Sequence, residues 1–268
     1  MQALRHYLLA VQFFTRIPVT GRLADWVGYS PAMLRASAAH FPGVGWLAGG
    51  WMAAVFFGLQ WWLPVVDASP WVAAVGATVA GVLLTGAFHE DGLADLADGL
   101  GGSADRLRAL EIMKDSRIGS FGAVALVLAL LAKVALLALL AQADALLAVL
   151  VLFAAQVVSR TTPLLIIYAL PHVGNDAGLG SKSKPLADSL SLQALLAGLL
   201  WCALALVAVV WLTPGAPWWA GVLGALAATA WVGRLLQRRL QGFTGDGLGA
   251  TQQVSEVLFC LGLALSVA

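Results

Sequence analysis

The sequence predicts an all-α fold: a polytopic membrane helical bundle of about seven transmembrane helices, with short interfacial or re-entrant helices. Hydrophobic residues make up 60% of the 268 residues, and charged residues only 11%. Soluble domains carry about 25% charged residues, so this composition is typical of a membrane protein. The apolar residues also form long runs, each near the ~20 residues that a helix needs to cross a bilayer.

Seven apolar runs are the candidate spans, and they lie at residues 43–65, 70–88, 119–141, 145–169, 190–212, 217–236 and 254–268. Because no soluble domain or long linker interrupts them, we expect one membrane-embedded domain over residues 1–268. Pro163 lies inside the fourth run. A proline there is expected to kink the helix or to end its first half.

The connections between the runs alternate in character, and this predicts an orientation. Three connections are short and contain no Lys or Arg, at 66–69, 142–144 and 213–216. Four segments are long and polar, at 1–42, 89–118, 170–189 and 237–253. Seven alternating spans place these four on one side, which the positive-inside rule makes cytoplasmic. With a net charge of +1, a nucleic-acid partner has no electrostatic support, and we expect none.

Half of the acidic residues lie in one short stretch. Seven of the 14 fall between Glu90 and Asp115. Asp91, Asp95 and Asp98 follow the pattern i, i+4, i+7, so on a helix their carboxylates share one face. Such carboxylates repel each other unless a divalent cation lies among them, and oxygen ligands favour Mg²⁺ or Mn²⁺ over zinc. We therefore predict a metal site at these three aspartates, on a polar loop whose glycines disfavour a helix.

Basic and polar residues follow the aspartates. Ser103 is predicted to cap a short helix that runs to about Asp115. Lys114 and Arg117 would then lie near the metal and hold phosphate oxygens. His89, next to the acids, has either a structural role or a role in binding a metal or a substrate hydroxyl.

A second polar cluster lies at residues 242–257, where glycines surround Asp246 and could bring backbone N–H groups to a phosphate or nucleotide. Lys133 and Arg160 lie inside predicted spans and are expected to face the bundle interior, in functional or purely structural roles. Glu256 is a candidate partner for either of them.

Several motifs together resemble one known family. They are FFTRIPV at 13–19, FPGVGWLAG at 41–49, FHEDGLADLADGLGG at 88–102, RALEIMKDSRIGSFGA at 108–123, Ser159-Arg160, GLG at 178–180 and FTGDGLGA at 243–250. In this order they resemble the cobalamin synthase family, the adenosylcobinamide-GDP ribazoletransferases, over nearly the whole chain. Two positions depart from the family pattern: Glu90 stands where an apolar residue is usual, and Thr161 where an aromatic one is usual.

The resemblance implies an enzyme that joins adenosylcobinamide-GDP to alpha-ribazole, or to its 5′-phosphate, and releases GMP. This is the last nucleotide-loop assembly step of cobalamin biosynthesis. It implies Mg²⁺ as cofactor and a multi-pass location in the bacterial cytoplasmic (inner) membrane, with lipid around the spans. A homo-oligomer, or contact with other cobalamin-assembly enzymes, is left open.

The resemblance also implies roles for named residues. Asp91, Asp95 and Lys114 are the expected catalytic residues, and Asp91, Asp95 and Asp98 the expected metal ligands. The expected substrate-binding residues are His89, Asp98, Arg117, Arg160, Thr244 and Asp246.

Three other readings compete with this one. A CDP-alcohol phosphotransferase making a phospholipid would share Asp95-Leu-Ala-Asp98-Gly99, but the Ala-Arg expected shortly afterwards is absent. A cation-coupled transporter would place carboxylates at mid-bilayer in two or more spans. A metal-binding scaffold would show no turnover with either substrate.

Overall fold

The computed structural model describes residues 1–173 and 189–267. Within these ranges the chain is helical, and its only extended pairing is a single bridge between His172 and Phe243. The predicted signature at 178–180, with Lys182 and Lys184, lies outside the described residues. The helices are α1 Gln2–Phe14, α2 Gly21–Val27, α3 Pro31–Ser37, α4 Phe41–Trp62, α5 Ser69–Thr85, α6 Phe88–Gly102, α7 Arg106–Ile112, α8 Ser120–Ala143, α9 Ala145–Ala169, α10 Leu192–Leu212, α11 Trp218–Arg239 and α12 Gly245–Ala264.

The predicted all-α polytopic membrane bundle is confirmed. Five described helical segments are long and apolar enough to cross a membrane, namely α3 with α4, then α8, α9, α10 and α11. The pair α5 and α6 makes a sixth if it is counted as one bent span. The remaining predicted span, 254–268, overlaps α12. That helix has 20 residues, but its polar side chains, Glu256 among them, exclude it by composition.

A sharp corner separates α5 from α6, whose axes differ by 89°. Gly86 and Ala87 form it with left-handed φ values of 67° and 59°. A Cβ atom on Gly86 would lie 2.0 Å from Nε of Arg16, so glycine meets both a conformational and a packing requirement there. The backbone N–H of Arg16 donates to the carbonyl of Leu84 over 2.7 Å, which ties the N-terminal segment to the corner.

The acidic stretch that we expected to be a loop is the helix α6. Its glycines lie where neighbouring elements approach too closely for a side chain. A Cβ on Gly99 would lie 2.4 Å from Cγ of Met113, and one on Gly101 would lie 2.5 Å from the ring of Phe121. Close packing therefore offsets the low helix propensity of glycine, which is about 1 kcal/mol per residue relative to alanine.

Pro163 does not end α9, which continues from Ala145 to Ala169. Proline has no N–H to donate to the carbonyl four residues earlier, that of Ser159. The hydroxyl of Thr162 donates to this carbonyl instead, over 2.9 Å. The helix thus keeps the carbonyl satisfied and passes through the proline.

Candidate active site

The two acidic motifs meet where α6 crosses α12. A Cβ atom on Gly92 would lie 3.0 Å from the backbone oxygen of Asp246 and 3.2 Å from Cα of Gly249. The two helices are therefore in backbone contact at this point. The crossing brings Asp246 beside Asp91 and Asp95, although these residues are far apart in the sequence.

The charges at this crossing perturb one another. Asp95 and Asp246 are partly buried, and Asp91 is exposed. All three lie outside the five apolar spans. Burial, followed by the charges of Asp91 and Asp98, raises the pKa of Asp95 to about 6. Burial, followed by the charges of Asp95 and Asp91, raises the pKa of Asp246 to about 7, against a smaller opposing effect of Lys114.

Lys114 is exposed, and it is close enough to this cluster for its charge to oppose the rise in the pKa of Asp246. Arg117 is exposed and forms an ion pair with its neighbour Asp115, with Nη2 and Oδ2 2.5 Å apart. Lys114 lies in the turn after α7, which ends at Ile112 and begins later than expected. Asp105 caps α7 by accepting a hydrogen bond from the N–H of Arg108, whereas Ser103 accepts one from the N–H of Asp105.

Asp98 is buried and points toward the start of α8. Its Oδ2 accepts from the N–H of Gly119 over 2.7 Å, and its Oδ1 accepts from the N–H of Gly122 over 2.8 Å. A carboxylate at a helix N-terminus satisfies free N–H groups and interacts favourably with the helix dipole. Asp98 therefore holds α8 against α6, a role that the sequence analysis did not include. As a metal or substrate ligand it stays a prediction.

Thr244 has a comparable role at the start of α12. Its hydroxyl accepts a hydrogen bond from the N–H of Gly247 over 3.1 Å, and the residue is buried. This cap fixes the first turn of α12, which carries Asp246. A direct contact between Thr244 and substrate stays a prediction.

His89 lies among aromatic rings. Its ring is nearly parallel to that of Phe41, at 15° with centroids 5.6 Å apart, and also to that of Phe14, at 14° and 6.5 Å. The residue is 2% exposed. Its Nε2 atom is buried and has no hydrogen-bond partner.

A network of polar side chains crosses the bundle interior. Nζ of Lys133 lies 2.7 Å from Oε1 of Glu256, which confirms Glu256 as the partner of Lys133. Nε2 of Gln156 donates to the same oxygen over 2.5 Å, and the guanidinium of Arg160 donates to the amide oxygen of Gln156. Arg160 therefore reaches Glu256 through Gln156. The structure places Arg160 within the helical bundle, where it lines a small polar cavity with Lys133 and Glu256, and its contact with substrate stays a prediction.

The sequence analysis missed the amides of this network. Gln252 donates to Oε2 of Glu256 over 2.9 Å, and Gln253 donates to Oε1 of Glu90 over 3.0 Å. The signal was present in the i, i+4 spacing of Gln156 with Arg160 and of Gln252 with Glu256, because such pairs lie on one helix face.

The aspartates do not form a closed metal cage as they stand. Among the described residues, no three His, Cys, Asp or Glu side chains are arranged closely enough to enclose a metal ion. The structure does bring Asp91, Asp95, Asp246 and Lys114 together. It directs Asp98, Thr244, His89, Arg117 and Arg160 to the other contacts described above.

Comparisons with known proteins agree on one family. Residues 6–264 match the family described as Cobalamin-5-phosphate synthase. A protein of Albidiferax ferrireducens named adenosylcobinamide-GDP ribazoletransferase is 59% identical, over 99% of this chain and 99% of its own length. Relatives with the same name from Polaromonas sp. and Leptothrix cholodnii are 57% and 44% identical, and the alignments cover 99% and 96% of this chain and 98% and 94% of theirs. No solved structure matches the chain.

Proposed function

The chain belongs to the cobalamin-5-phosphate synthase family, and we propose that its α6–α12 crossing is the site of an Mg²⁺-dependent adenosylcobinamide-GDP ribazole transfer. The protein is a transferase of cobalamin biosynthesis in a multi-pass membrane fold. The proposed location of the site rests on the backbone contact at Gly92, which joins two acidic motifs from distant parts of the chain. This membership decides against the phospholipid synthase, the transporter and the scaffold.

Mg²⁺ fits this cluster by the chemistry of its donors. Asp91, Asp95 and Asp246 offer only carboxylate oxygens, which hard divalent cations prefer. Burial, and after it the charges of neighbouring carboxylates, raises the pKa values of Asp95 and Asp246, so a cation between them would offset both effects. These three residues would hold the ion, with Asp98 beside them. When bound, Mg²⁺ supplies positive charge that stabilises phosphate oxygens.

Side chains of the protein have separate roles in the transfer reaction. A ribose hydroxyl of ribazole forms a new bond to the phosphorus attached to cobinamide, while the bond from that phosphorus to the GMP oxygen breaks. The hydroxyl proton passes to a carboxylate. Asp95 or Asp246 suits this step when its carboxylate is not occupied by the ion, because burial raises its pKa toward the working pH, where a base works best. Lys114 stabilises the negative charge of the departing phosphate.

We also propose that the site faces the cytoplasm at the bacterial inner membrane. The polar segments that carry α6, α7 and the start of α12 hold most of the basic residues between spans, which the positive-inside rule places there. A cytoplasmic site gives both water-soluble substrates direct access. Lipid surrounds the spans, and the exposed apolar side chains of α8 and α10 support that arrangement.

The test is turnover by the detergent-purified protein. We expect adenosylcobinamide-GDP and alpha-ribazole with Mg²⁺ to give GMP and adenosylcobalamin in equal amounts by mass spectrometry, and alpha-ribazole 5′-phosphate to give the 5′-phosphate of the product. EDTA should stop both reactions, and added Mg²⁺ should restore them. No product from a folded, monodisperse sample would reject the proposal, and product that persists in EDTA would reject the metal.

A further inference from the structure

An aromatic cavity lies next to the aspartate cluster and has no part in the steps above. It opens to the surface, and the space inside it that the centre of a water-sized molecule can occupy is about 50 Å³. Its lining is almost wholly apolar and includes Phe13, Phe14, Phe41, Phe88 and His89. Phe13 and Phe14 come from the N-terminal segment.

The rings of this aromatic cavity are arranged for a flat ligand. The rings of Phe41 and His89 are nearly parallel, with their planes 15° apart and their centroids 5.6 Å apart. Phe88 stands almost perpendicular to His89, at 83° with centroids 5.4 Å apart. Planar aromatic ligands bind by stacking on such faces and by edge-to-face contact.

His89, one of the lining residues, carries a polar atom that lacks a partner. Nε2 of His89 is buried and has no hydrogen bond, and a buried polar atom without a partner costs free energy. A ligand that is aromatic and carries a ring nitrogen would satisfy this atom. A lipid acyl chain would fill the space but leave the nitrogen unpaired.

The aromatic cavity and the aspartates share the same two helices. His89 lies two residues before Asp91 on α6. Gly245 and Gly249 of α12 also line the cavity, and Gly245 precedes Asp246. Along both helices, the cavity therefore lies within about one turn of Asp91 and Asp246, which a ribose attached to the bound ring can span.

We propose that the aromatic cavity binds the planar aromatic base of ribazole. The ring packs against His89 and Phe41, and a ring nitrogen accepts a hydrogen bond from the Nε2–H group of His89. The ribose then extends toward Asp95 and Asp246, where its hydroxyl reacts. This assignment rests on the proposed function and adds the residues that select and orient the acceptor substrate.

The experiment distinguishes an effect on alpha-ribazole from an effect on adenosylcobinamide-GDP. Phe13→Ala and Phe88→Ala remove stacking surface, and His89→Phe keeps a ring but removes the nitrogen. The matched control is Phe57→Ala, since Phe57 is 56% exposed on α4 and lies outside the cavity. KM is measured for each substrate at saturation of the other, and thermal unfolding in detergent confirms that each variant is folded.

We expect the three cavity variants to raise KM for alpha-ribazole by roughly tenfold, which corresponds to about 1.4 kcal/mol, and to leave KM for adenosylcobinamide-GDP unchanged. The control should match the wild type in both constants. Equal changes in both KM values, or no change in either, would overturn the assignment. So would loss of co-purified phospholipid from the cavity variants with an unaltered KM for alpha-ribazole.

Equilibrium dialysis of alpha-ribazole against the resting protein tests the aromatic cavity without any turnover. Binding that is weakened in Phe88→Ala and kept in Phe57→Ala supports the cavity even if the transfer reaction is not observed. Equal binding by both variants, in a wild type that does turn over, rejects the cavity and leaves the proposed function standing.

Discussion

Asp95 and Asp246 differ from an ordinary surface aspartate in their pKa, and this difference has consequences for the reaction. Their carboxyl groups titrate near 6 and near 7 because they are partly buried beside other carboxylates. At neutral pH they exist partly as acids and partly as bases, which is the state that proton transfer requires.

At the residue scale, we expect activity to depend on pH in the direction set by these two groups. A base must be deprotonated to act, so kcat/KM should rise as pH increases from about 5 to about 8. Asp246→Asn removes one charge beside Asp95 and should move the remaining inflection to lower pH. The measurement is a pH–rate profile of the wild type and this variant at fixed Mg²⁺, and a flat profile in the wild type would contradict the assignment.

The same pKa values predict an effect of pH and Mg²⁺ on stability. A carboxyl group whose pKa is higher in the folded state than in the unfolded state contributes stability at low pH, and this is lost as pH rises through about 6 to 7. Mg²⁺ binds the charged carboxylates and should raise the unfolding temperature at pH 8 more than at pH 5. Differential scanning fluorimetry would show this in the wild type, with a smaller response in Asp95→Asn and an unchanged one in Asp67→Asn, an exposed aspartate outside the site.

At the element scale, the crossing of α6 and α12 depends on the absence of side chains. Gly92→Ala would place a methyl group 3.0 Å from the backbone of Asp246 and should separate the two acidic motifs. We expect kcat/KM to fall at least about tenfold, because small displacements of catalytic groups are costly. Gly58→Ala is the matched control, since a Cβ at that position meets nothing within 4 Å. Equal activity of the two variants would show that the crossing does not set the geometry of the site.

The polar network across the bundle makes a separate prediction for stability. Lys133→Met leaves Glu256 buried without its ion-pair partner, and breaking such a pair costs about 3–5 kcal/mol. Glu256→Gln added to Lys133→Met removes the unpaired charge and should recover most of that loss. Thermal unfolding of the single and double variants tests this, and a double variant no more stable than the single one would contradict it.

The elements also show what sequence reasoning could and could not foresee. Long apolar runs predicted five spanning helices, because length and hydropathy are local properties, whereas the runs at 70–88 and 254–268 do not qualify as spans by themselves. The stretch with Asp91, Asp95 and Asp98 was misjudged as a loop, because the contacts that compensate its glycines come from α7, α8 and α12. In the same way, the capping of α8 by Asp98 depends on a tertiary contact that spacing alone does not reveal.

At the scale of the whole molecule, the orientation of the protein in the membrane can be measured. The alternation of polar and short connections predicts that Ser116, after α7, faces the cytoplasm and Gly215, between α10 and α11, faces the opposite side. Ser116→Cys should react with an impermeant maleimide only in inside-out vesicles, and Gly215→Cys only in right-side-out vesicles or intact spheroplasts. Labelling of both residues from one side would refute the orientation.

The family assignment also belongs to this scale, because it rests on motifs spread over nearly the whole chain and on the match over residues 6–264. The resemblance visible in the sequence identified the reaction class. The sequence also grouped Asp91, Asp95, Lys114 and Asp246 as candidates, but their proximity in space came only from the structure. The aromatic cavity has no sequence signal of its own, since its rings come from α1, α4 and α6.

The central claim is that Asp246, from one end of the chain, and the aspartates of α6 form a single reaction site. The most direct measurement is GMP release from adenosylcobinamide-GDP and alpha-ribazole by Asp246→Asn, with Asp25→Asn in the N-terminal arm as the control. Loss of a general base or metal ligand should lower kcat/KM by about a hundredfold or more, with the protein still folded and the control fully active. Wild-type turnover in Asp246→Asn would contradict the account.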